Sequence, residues 1–389
     1  MTQKILIRNA HLYATDGDWL PGWLLTEGSA IRLMGPGEPP SFADEKIDLE
    51  LDAQGMDLLP GFIDLHVHGA IGYEVMDADA ERMIAMAQFY ARHGVTAFLA
   101  TTWSAPAQAM RDVLACVKNV VGQVENGATI LGVHLEGPYL NPERTGAQDV
   151  NVIRRATREE ALEFLDSGLV RLITIAPEFP ENLWIIDECV KRGIVVSAGH
   201  TKAGFAELEN AAQHGLRHIT HCFNAMVGLG HREIGTVGAA MALPQIHTEL
   251  IADNIHVHPA VQKILVDVKT PGRVILVTDA IRGTGMNDGE YQIDHRTITI
   301  KNGEVRLPDG TIAGSVLTME RALRNVMKAT GRPLSECWVM SSLNAAREIG
   351  ISNRKGSLEV GKDADLVLLD EAGQVKLTVA EGRVTYRDM

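Results

Sequence analysis

Eight short, nearly continuous apolar runs recur along the middle of this chain, and they limit what it can fold into. They are Gly61–Gly69, Val95–Thr102, Thr129–Pro138, Arg171–Glu178, Gly193–His200, His218–Ala225, Glu249–Asp253 and Val274–Ala280. A strand with one wet face alternates apolar and polar residues, whereas most of these runs do not. They suit strands buried on both faces. Segments with helical periodicity lie between them. Met83, Ile84, Ala87, Tyr90 and Ala91 share one face of a helix predicted over Asp79–His93, with Gly94 as its cap. Lys202–His214 repeats the pattern and stops at Gly215. Eight strand–helix units predict an α/β fold of the TIM-like (β/α)8 barrel class.

The two ends of the chain read differently. Lys4–Tyr13 is followed by Gly22–Thr26 and Ala30–Met34 around Glu27-Gly28, a hairpin signal. The tail offers Asp365–Asp370, Val375–Val379 and Val384–Tyr386 around Glu381-Gly382. Residues 1–57 and 357–389 are therefore expected to pair into one small β domain, with the barrel over 58–356. A length of 389 residues fits one barrel plus such a companion.

Composition removes several classes of function. With 36 basic and 50 acidic residues the net charge is −14, and no basic run interrupts it, which argues against nucleic acid and anionic membranes as partners. No apolar stretch approaches the roughly 20 residues of a membrane span. Charge breaks Met1–Ala10 before a signal-peptide core forms. Cys116, Cys189, Cys222 and Cys337 are scattered, so reduced thiols and a cytoplasmic protein are expected.

In a barrel of this class the active site lies at the C-terminal ends of the strands, and here those ends carry the chemistry. Run one ends in His66-Val67-His68, whose spacing of two puts both imidazoles on one side of a strand. Run three ends in His134-Leu135-Glu136, run five in His200, and run six contains His221; run eight ends in Thr278-Asp279-Ala280. Singly, each has a bland reading: core histidine, turn glutamate, helix-capping aspartate. Together they are five candidate ligands and one acid at the ends of buried strands. Buried charges need partners, and a divalent cation supplies one. Imidazole and carboxylate without thiolate suit Zn²⁺, Fe²⁺, Mn²⁺ or Co²⁺. Cys222 follows His221 directly and points the other way, as packing.

Pro60-Gly61-Phe62-Ile63-Asp64-Leu65-His66-Val67-His68-Gly69 resembles the opening of amidohydrolase-superfamily barrels. His134-Leu135-Glu136-Gly137-Pro138-Tyr139, Ala198-Gly199-His200-Thr201, Thr220-His221-Cys222-Phe223-Asn224-Ala225-Met226 and Val277-Thr278-Asp279-Ala280 are similar to the N-acetylglucosamine-6-phosphate deacetylase family within it. So are Ala313-Gly314-Ser315 and the tail Gly356–Leu366.

The resemblance implies the barrel plus a small β-sandwich built from both ends, and hydrolysis of the amide of a phosphorylated amino sugar. It implies Glu136, His200 and His221 as ligands of the main metal, with zinc first among the candidates. It also implies Asp279 as general acid/base. Ala147, Gln148, Asn224, Ala225, Arg232, His256, Ile312, Ala313 and Gly314 would meet the substrate. Arg232 and His256 would reach the neighbouring active site of a homodimer. His66 and His68 admit a second ion, with Glu136 as bridge, so one or two ions per subunit are expected. Where some relatives carry a histidine, this chain reads Gly146-Ala147-Gln148, which keeps a hydrogen-bond donor but no charge. The galactosamine epimer of the substrate stays open. A cyclic-amide hydrolase is disfavoured because run four, Leu172–Glu178, lacks a lysine, and a metal-free scaffold because the ligand set is intact.

Overall fold

The computed structural model describes residues 3–15, 17–293 and 296–389. Each of the eight runs coincides with a strand, to within two residues at its start: β1 (Phe62–Val67), β2 (Val95–Thr102), β3 (Thr129–Glu136), β4 (Val170–Ile175), β5 (Val195–Ala198), β6 (His218–Ile219), β7 (His247–Ile251) and β8 (Val274–Val277). They form one parallel sheet in the order β8-β7-β6-β5-β4-β3-β2-β1. Every residue of β1, β2, β5 and β8 is buried, which is why those runs carry no polar alternation. The sixth strand is shorter than its run, because the backbone from Thr220 to Ala225 leaves the sheet in a series of turns; this begins the site described below.

Eight main helices alternate with the strands: α1 (Ala80–Arg92), α2 (Ala107–Val120), α3 (Arg158–Asp166), α4 (Pro180–Lys191), α5 (Phe205–Gln213), α6 (Gly235–Ala242), α7 (Pro259–Lys269) and α8 (Met319–Thr330). The first shows how sequence sets the element. Asp79 caps it by accepting the Arg82 N–H. Met83, Met86, Ala87, Tyr90 and Ala91 are buried, with Met86 rather than Ile84 completing the inner face. Burying each large side chain of that face contributes about 1.5–3 kcal/mol.

β1 and β8 share no regular ladder, and the cylinder closes there by other means. Thr278 Oγ1 donates to Asp64 Oδ2 at 2.6 Å. Beyond it, Asp279 N–H reaches the His66 carbonyl at 2.9 Å and His68 N–H reaches that of Ala280 at 2.8 Å.

The chain ends meet in a second eight-stranded sheet. Lys4–Ala14 pairs antiparallel with Gly17–Glu27, which continues into Ala30–Pro36. The tail strand Leu366–Leu369 pairs with Asp57–Pro60, joining the two ends. Ile5, Ile7, Leu12, Leu24, Leu58, Leu366 and Leu377 form a separate apolar core. A three-stranded antiparallel flap, Gly289–Ile293, Arg296–Lys301 and Glu304–Arg306, follows β8 and was not expected from the pattern of runs. Its Ile293, Ile298, Ile300 and Val305 pack with Trp103, Ala147, Ile281 and Ala313, which brings residues 311–314 over the barrel mouth. Among the described residues no helix is long and apolar enough to cross a membrane.

Candidate metal centre

Six ionisable side chains converge at the C-terminal end of the barrel. His66 lies in β1 and His68 just past it, Glu136 ends β3, and His200, His221 and Asp279 stand just beyond β5, β6 and β8; all six are buried. Glu136 Oε1 lies 3.0 Å from His200 Nε2 and 2.9 Å from His221 Nε2, and those two nitrogens are 3.1 Å apart. Glu136 Oε2 lies 3.3 Å from His68 Nε2, which is 3.2 Å from His66 Nε2. Asp279 Oδ1 is 3.5 Å from His66 Nε2 and 3.3 Å from His68 Nε2.

Hydrogen positions follow from the partners. His200 Nδ1 is 2.9 Å from the Arg144 carbonyl oxygen, which can only accept, so the hydrogen sits on Nδ1 and Nε2 offers a lone pair. His66 Nδ1 faces the Glu249 carboxylate at 3.0 Å with the same result. The Nδ1 atoms of His68 and His221 have no hydrogen-bond partner among the described residues. Lone pairs and a carboxylate oxygen this close repel one another unless a positive charge lies among them. Glu136–His200–His221 and His66–His68–Glu136 each place three ligand atoms within 4.8 Å of one another and share Glu136. The donor set therefore fits a divalent metal, with room in the chemistry for a second.

The electrostatics agree. Burial alone would raise the pKa of Glu136, but His66, His200 and His221 hold it well below the carboxylate range. Burial likewise works against ionised Asp279, and His66, His68 and His221 outweigh it. Burial disfavours a charged His66, yet Glu136, Glu249 and Asp279 push its pKa well above the usual value. The cluster keeps its anions and draws a cation, proton or metal, into their midst.

A third group, His66–His134–Glu249, meets the same distance test. Both nitrogens of His134 are engaged, however, by the Leu65 carbonyl at 3.1 Å and Thr174 Oγ1 at 2.7 Å. Burial takes its pKa down to about 3. His134 is a neutral structural residue. Glu178 is structural too: it accepts from Asn141 Nδ2 at 2.7 Å, from Lys202 N–H at 2.7 Å and from Thr201 Oγ1.

Backbone strain concentrates here. His200 (φ 47°), His221 (φ 29°), Phe223 (φ 84°), Ala225 (φ 50°) and Asp279 (φ 50°) all occupy the left-handed region without being glycine. Gly199 shows how tight the approach is. A Cβ there would meet Thr174 Cγ2 at 2.7 Å and Thr220 Cβ at 2.8 Å.

Above the cluster opens a cavity of about 230 Å³. Its wall includes Glu136, His200, His221 and Asp279, and also Ala147, Asn224, Ala225, His256, Ile312 and Gly314. His256 is steered by Asp253, whose Oδ2 is 2.6 Å from Nδ1. Burial opposes its protonation, but Asp253 raises its pKa overall. Gln148 and Ala313 stand behind the wall rather than in it. The Gln148 amide accepts the Ser104 N–H at 2.7 Å and donates to Glu136 Oε2 at 2.6 Å. Ala313 packs in the flap core. Arg232 is exposed on the loop before α6 and does not line the cavity.

Three contributors lay outside the sequence reading. Trp103, just past β2, stacks on His68 with ring centroids 3.9 Å apart and an interplanar angle of 13°. Thr311 lines the cavity from the flap. Glu249, inside β7, contacts His66 Nδ1, and an acid at the start of an apolar run was its signal.

Known proteins resemble this chain in sequence and fold. The profile of the amidohydrolase family matches residues 58–385. The chain is 35% identical over 391 residues to an N-acetylglucosamine-6-phosphate deacetylase of Bacillus subtilis, covering 99% of this chain and 95% of the relative. It is 34% identical over 345 residues to an N-acetylgalactosamine-6-phosphate deacetylase of Escherichia coli O157:H7, covering 88% and 91%. A mutant N-acetyl-D-glucosamine-6-phosphate deacetylase of Mycobacterium smegmatis, solved with N-acetyl-D-glucosamine-6-phosphate, superimposes with a TM-score of 0.90 at 30% identity, covering 98% and 99%.

Proposed function

The chain belongs to the amidohydrolase family, and on that premise we infer that it deacetylates N-acetyl-D-glucosamine 6-phosphate to D-glucosamine 6-phosphate and acetate. One observation carries the reading: Glu136 Oε1, His200 Nε2 and His221 Nε2 meet within 3.1 Å of one another beneath a cavity that Asp279 also lines. We read Glu136, His200 and His221 as the main metal ligands and zinc as the first candidate ion, because nitrogen and carboxylate oxygen without sulfur suit it. His66 and His68 would hold a second ion with Glu136 as bridge. A bound divalent cation supplies acidity to a water molecule and polarises an amide carbonyl.

The protein's own groups do the rest. Asp279 takes the proton of the attacking water as the C–O bond forms. It then hands that proton to the nitrogen as the C–N bond breaks, so acetate and a free amine leave. Its electrostatic setting favours the ionised form needed at the start. Gln148 steadies Glu136 from behind. Asn224, Ala225, Ile312 and Gly314, with Ala147, enclose the sugar, and Ala313 supports them. Barrel residues 58–356 are the catalytic unit in this reading, with 1–57 and 357–389 as its companion.

The phosphate needs a basic partner in an acidic protein, and the proposed pair is His256, which lines its own subunit's cavity rather than reaching away from it as the resemblance implied, with Arg232 reaching in from a second copy in a homodimer. That arrangement accounts for an arginine that stands away from its own cavity. Its guanidinium fork matches phosphate oxygens. Four buried free thiols suit the cytoplasm.

The test is acetate release from N-acetylglucosamine 6-phosphate, its galactosamine epimer and unphosphorylated N-acetylglucosamine, before and after chelation. Chelator-sensitive release that favours the first supports the reading. Preference for the epimer moves the substrate and keeps the mechanism. Indifference to the phosphate removes the role of Arg232.

A further inference from the structure

Glu249 sits in the middle of β7, fully buried and in contact with the ligand cluster. Its Oε2 accepts from His66 Nδ1 at 3.0 Å and from the backbone N–H of His221 at 3.0 Å. Its Oε1 is 3.0 Å from His218 Nε2. The three contacts reach β1, β6 and the turn that follows β6, so one side chain on β7 ties together the first, sixth and seventh strands of the barrel.

The chemistry of each contact is directional. An ionised carboxylate only accepts, so His66 must keep its hydrogen on Nδ1 and aim its Nε2 lone pair at His68 and Glu136. The same oxygen holds the N–H of His221, whose left-handed backbone (φ 29°) turns its imidazole toward Glu136. His66 belongs to one three-ligand group and His221 to the other. Relaxation of Glu249 therefore loosens a ligand in each. The packing alternative is that Glu249 only neutralises His218 in the barrel interior. That alternative leaves unexplained why Oε2 points away from His218 and engages both ligands.

We propose that Glu249 is a positioning residue that fixes the tautomer of His66 and the backbone of His221, and so couples the two halves of the metal centre. The proposal rests on the metal-dependent reading above.

The experiment uses the full-length chain with Co²⁺ as probe, which reports ligand geometry through its visible absorption. Glu249→Ala and the isosteric Glu249→Gln are compared with the parent, with His66→Ala and with the double variant of Glu249→Ala and His66→Ala. Folding is monitored by cooperative urea unfolding. Chelator competition is expected to show 10–100-fold weaker Co²⁺ binding in Glu249→Ala, the range typical for removing a ligand's supporting hydrogen bond. A smaller loss is expected in Glu249→Gln, whose amide oxygen can still accept from His66. The cobalt spectrum shifts in both. The losses from Glu249→Ala and His66→Ala are less than additive, because both act on one ligand. If Glu249→Ala does not fold, Glu249→Gln carries the comparison alone. Parental affinity and spectrum in a folded Glu249 variant, or full additivity with His66→Ala, overturns the proposal while leaving the metal reading intact. A parent chain that takes up no Co²⁺ overturns both.

Discussion

Replacing Asp279 by Asn separates proton transfer from metal binding more cleanly than any other change at this site. The two side chains have nearly the same shape, so the cavity wall is preserved. The primary group, Glu136 with His200 and His221, does not include Asp279, so its metal should stay. What goes is the carboxylate that stands 3.5 Å from His66 Nε2 and 3.3 Å from His68 Nε2, where it can accept a proton. A positioned acid/base contributes about 10²–10⁴-fold to a rate. At about 1.36 kcal/mol per decade that is about 2.7–5.4 kcal/mol of barrier. The assay is acetate release at saturating N-acetylglucosamine 6-phosphate, with metal content measured on the same sample. The expected result is parental metal content with kcat lower by at least about a hundredfold. Metal retained with kcat within about tenfold of the parent refutes the acid/base role. Metal lost, with activity restored by added metal, would instead make Asp279 a ligand.

The same geometry supports further expectations. Glu136→Gln weakens every ligand contact at once, so metal content and acetate release should fall together; activity without metal refutes the assignment. Metal removal from the parent should lower the unfolding midpoint, since a ligand at about 100 times its Kd stabilises by about 2.7 kcal/mol; calorimetry with and without chelator measures it. Arg232→Ala should raise KM for the phosphorylated substrate more than it lowers kcat, and leave release from unphosphorylated N-acetylglucosamine unchanged. In His218, burial opposes protonation, but Glu249 and Glu348 raise its pKa to about 9, above the ordinary 6.5 of the unfolded chain. The stability this contributes is fully present below about pH 6.5 and is lost as pH rises through about 9. Urea unfolding of metal-free protein should show that fall, and His218→Asn should flatten it; equal slopes for the two count against the assignment.

The barrel was legible because strands covered on both faces cannot hide their apolar continuity, and all eight overlap their runs, with only β4 and β7 starting a residue or two ahead of them. Four of the five candidate imidazole and carboxylate ligands sat at the ends of runs, and His221 lay within one; motif order marked them. The flap was not legible. Its strands alternate exposed and buried residues over three to six positions, too short for a period to declare itself, although Asn302-Gly303 marked one of its turns. Trp103 carries no titratable group and so gave no chemical signal at the end of run two. Glu249 did open an apolar run, but its partner His66 lies 183 residues away, and only the closed barrel brings the two together. For Gln148, expected to meet the substrate, the destination of the donor was not visible: the amide turns to Glu136 behind the cavity wall.

The seam between the first and last strands sets a condition on how this protein comes into being. Asp64 and Thr278 are 214 residues apart in the chain, and they meet at the same end of the barrel as His66, His68 and Asp279. Bringing together the ends of a flexible loop that long costs on the order of 5 kcal/mol from the logarithm of its length alone. No segment that stops short of residue 279 holds the finished site, so a nascent chain on the ribosome remains inert until its eighth strand has emerged. Closing the cylinder and arming it are then one event. An ion that binds only the armed form holds the cylinder shut and draws folding forward by mass action.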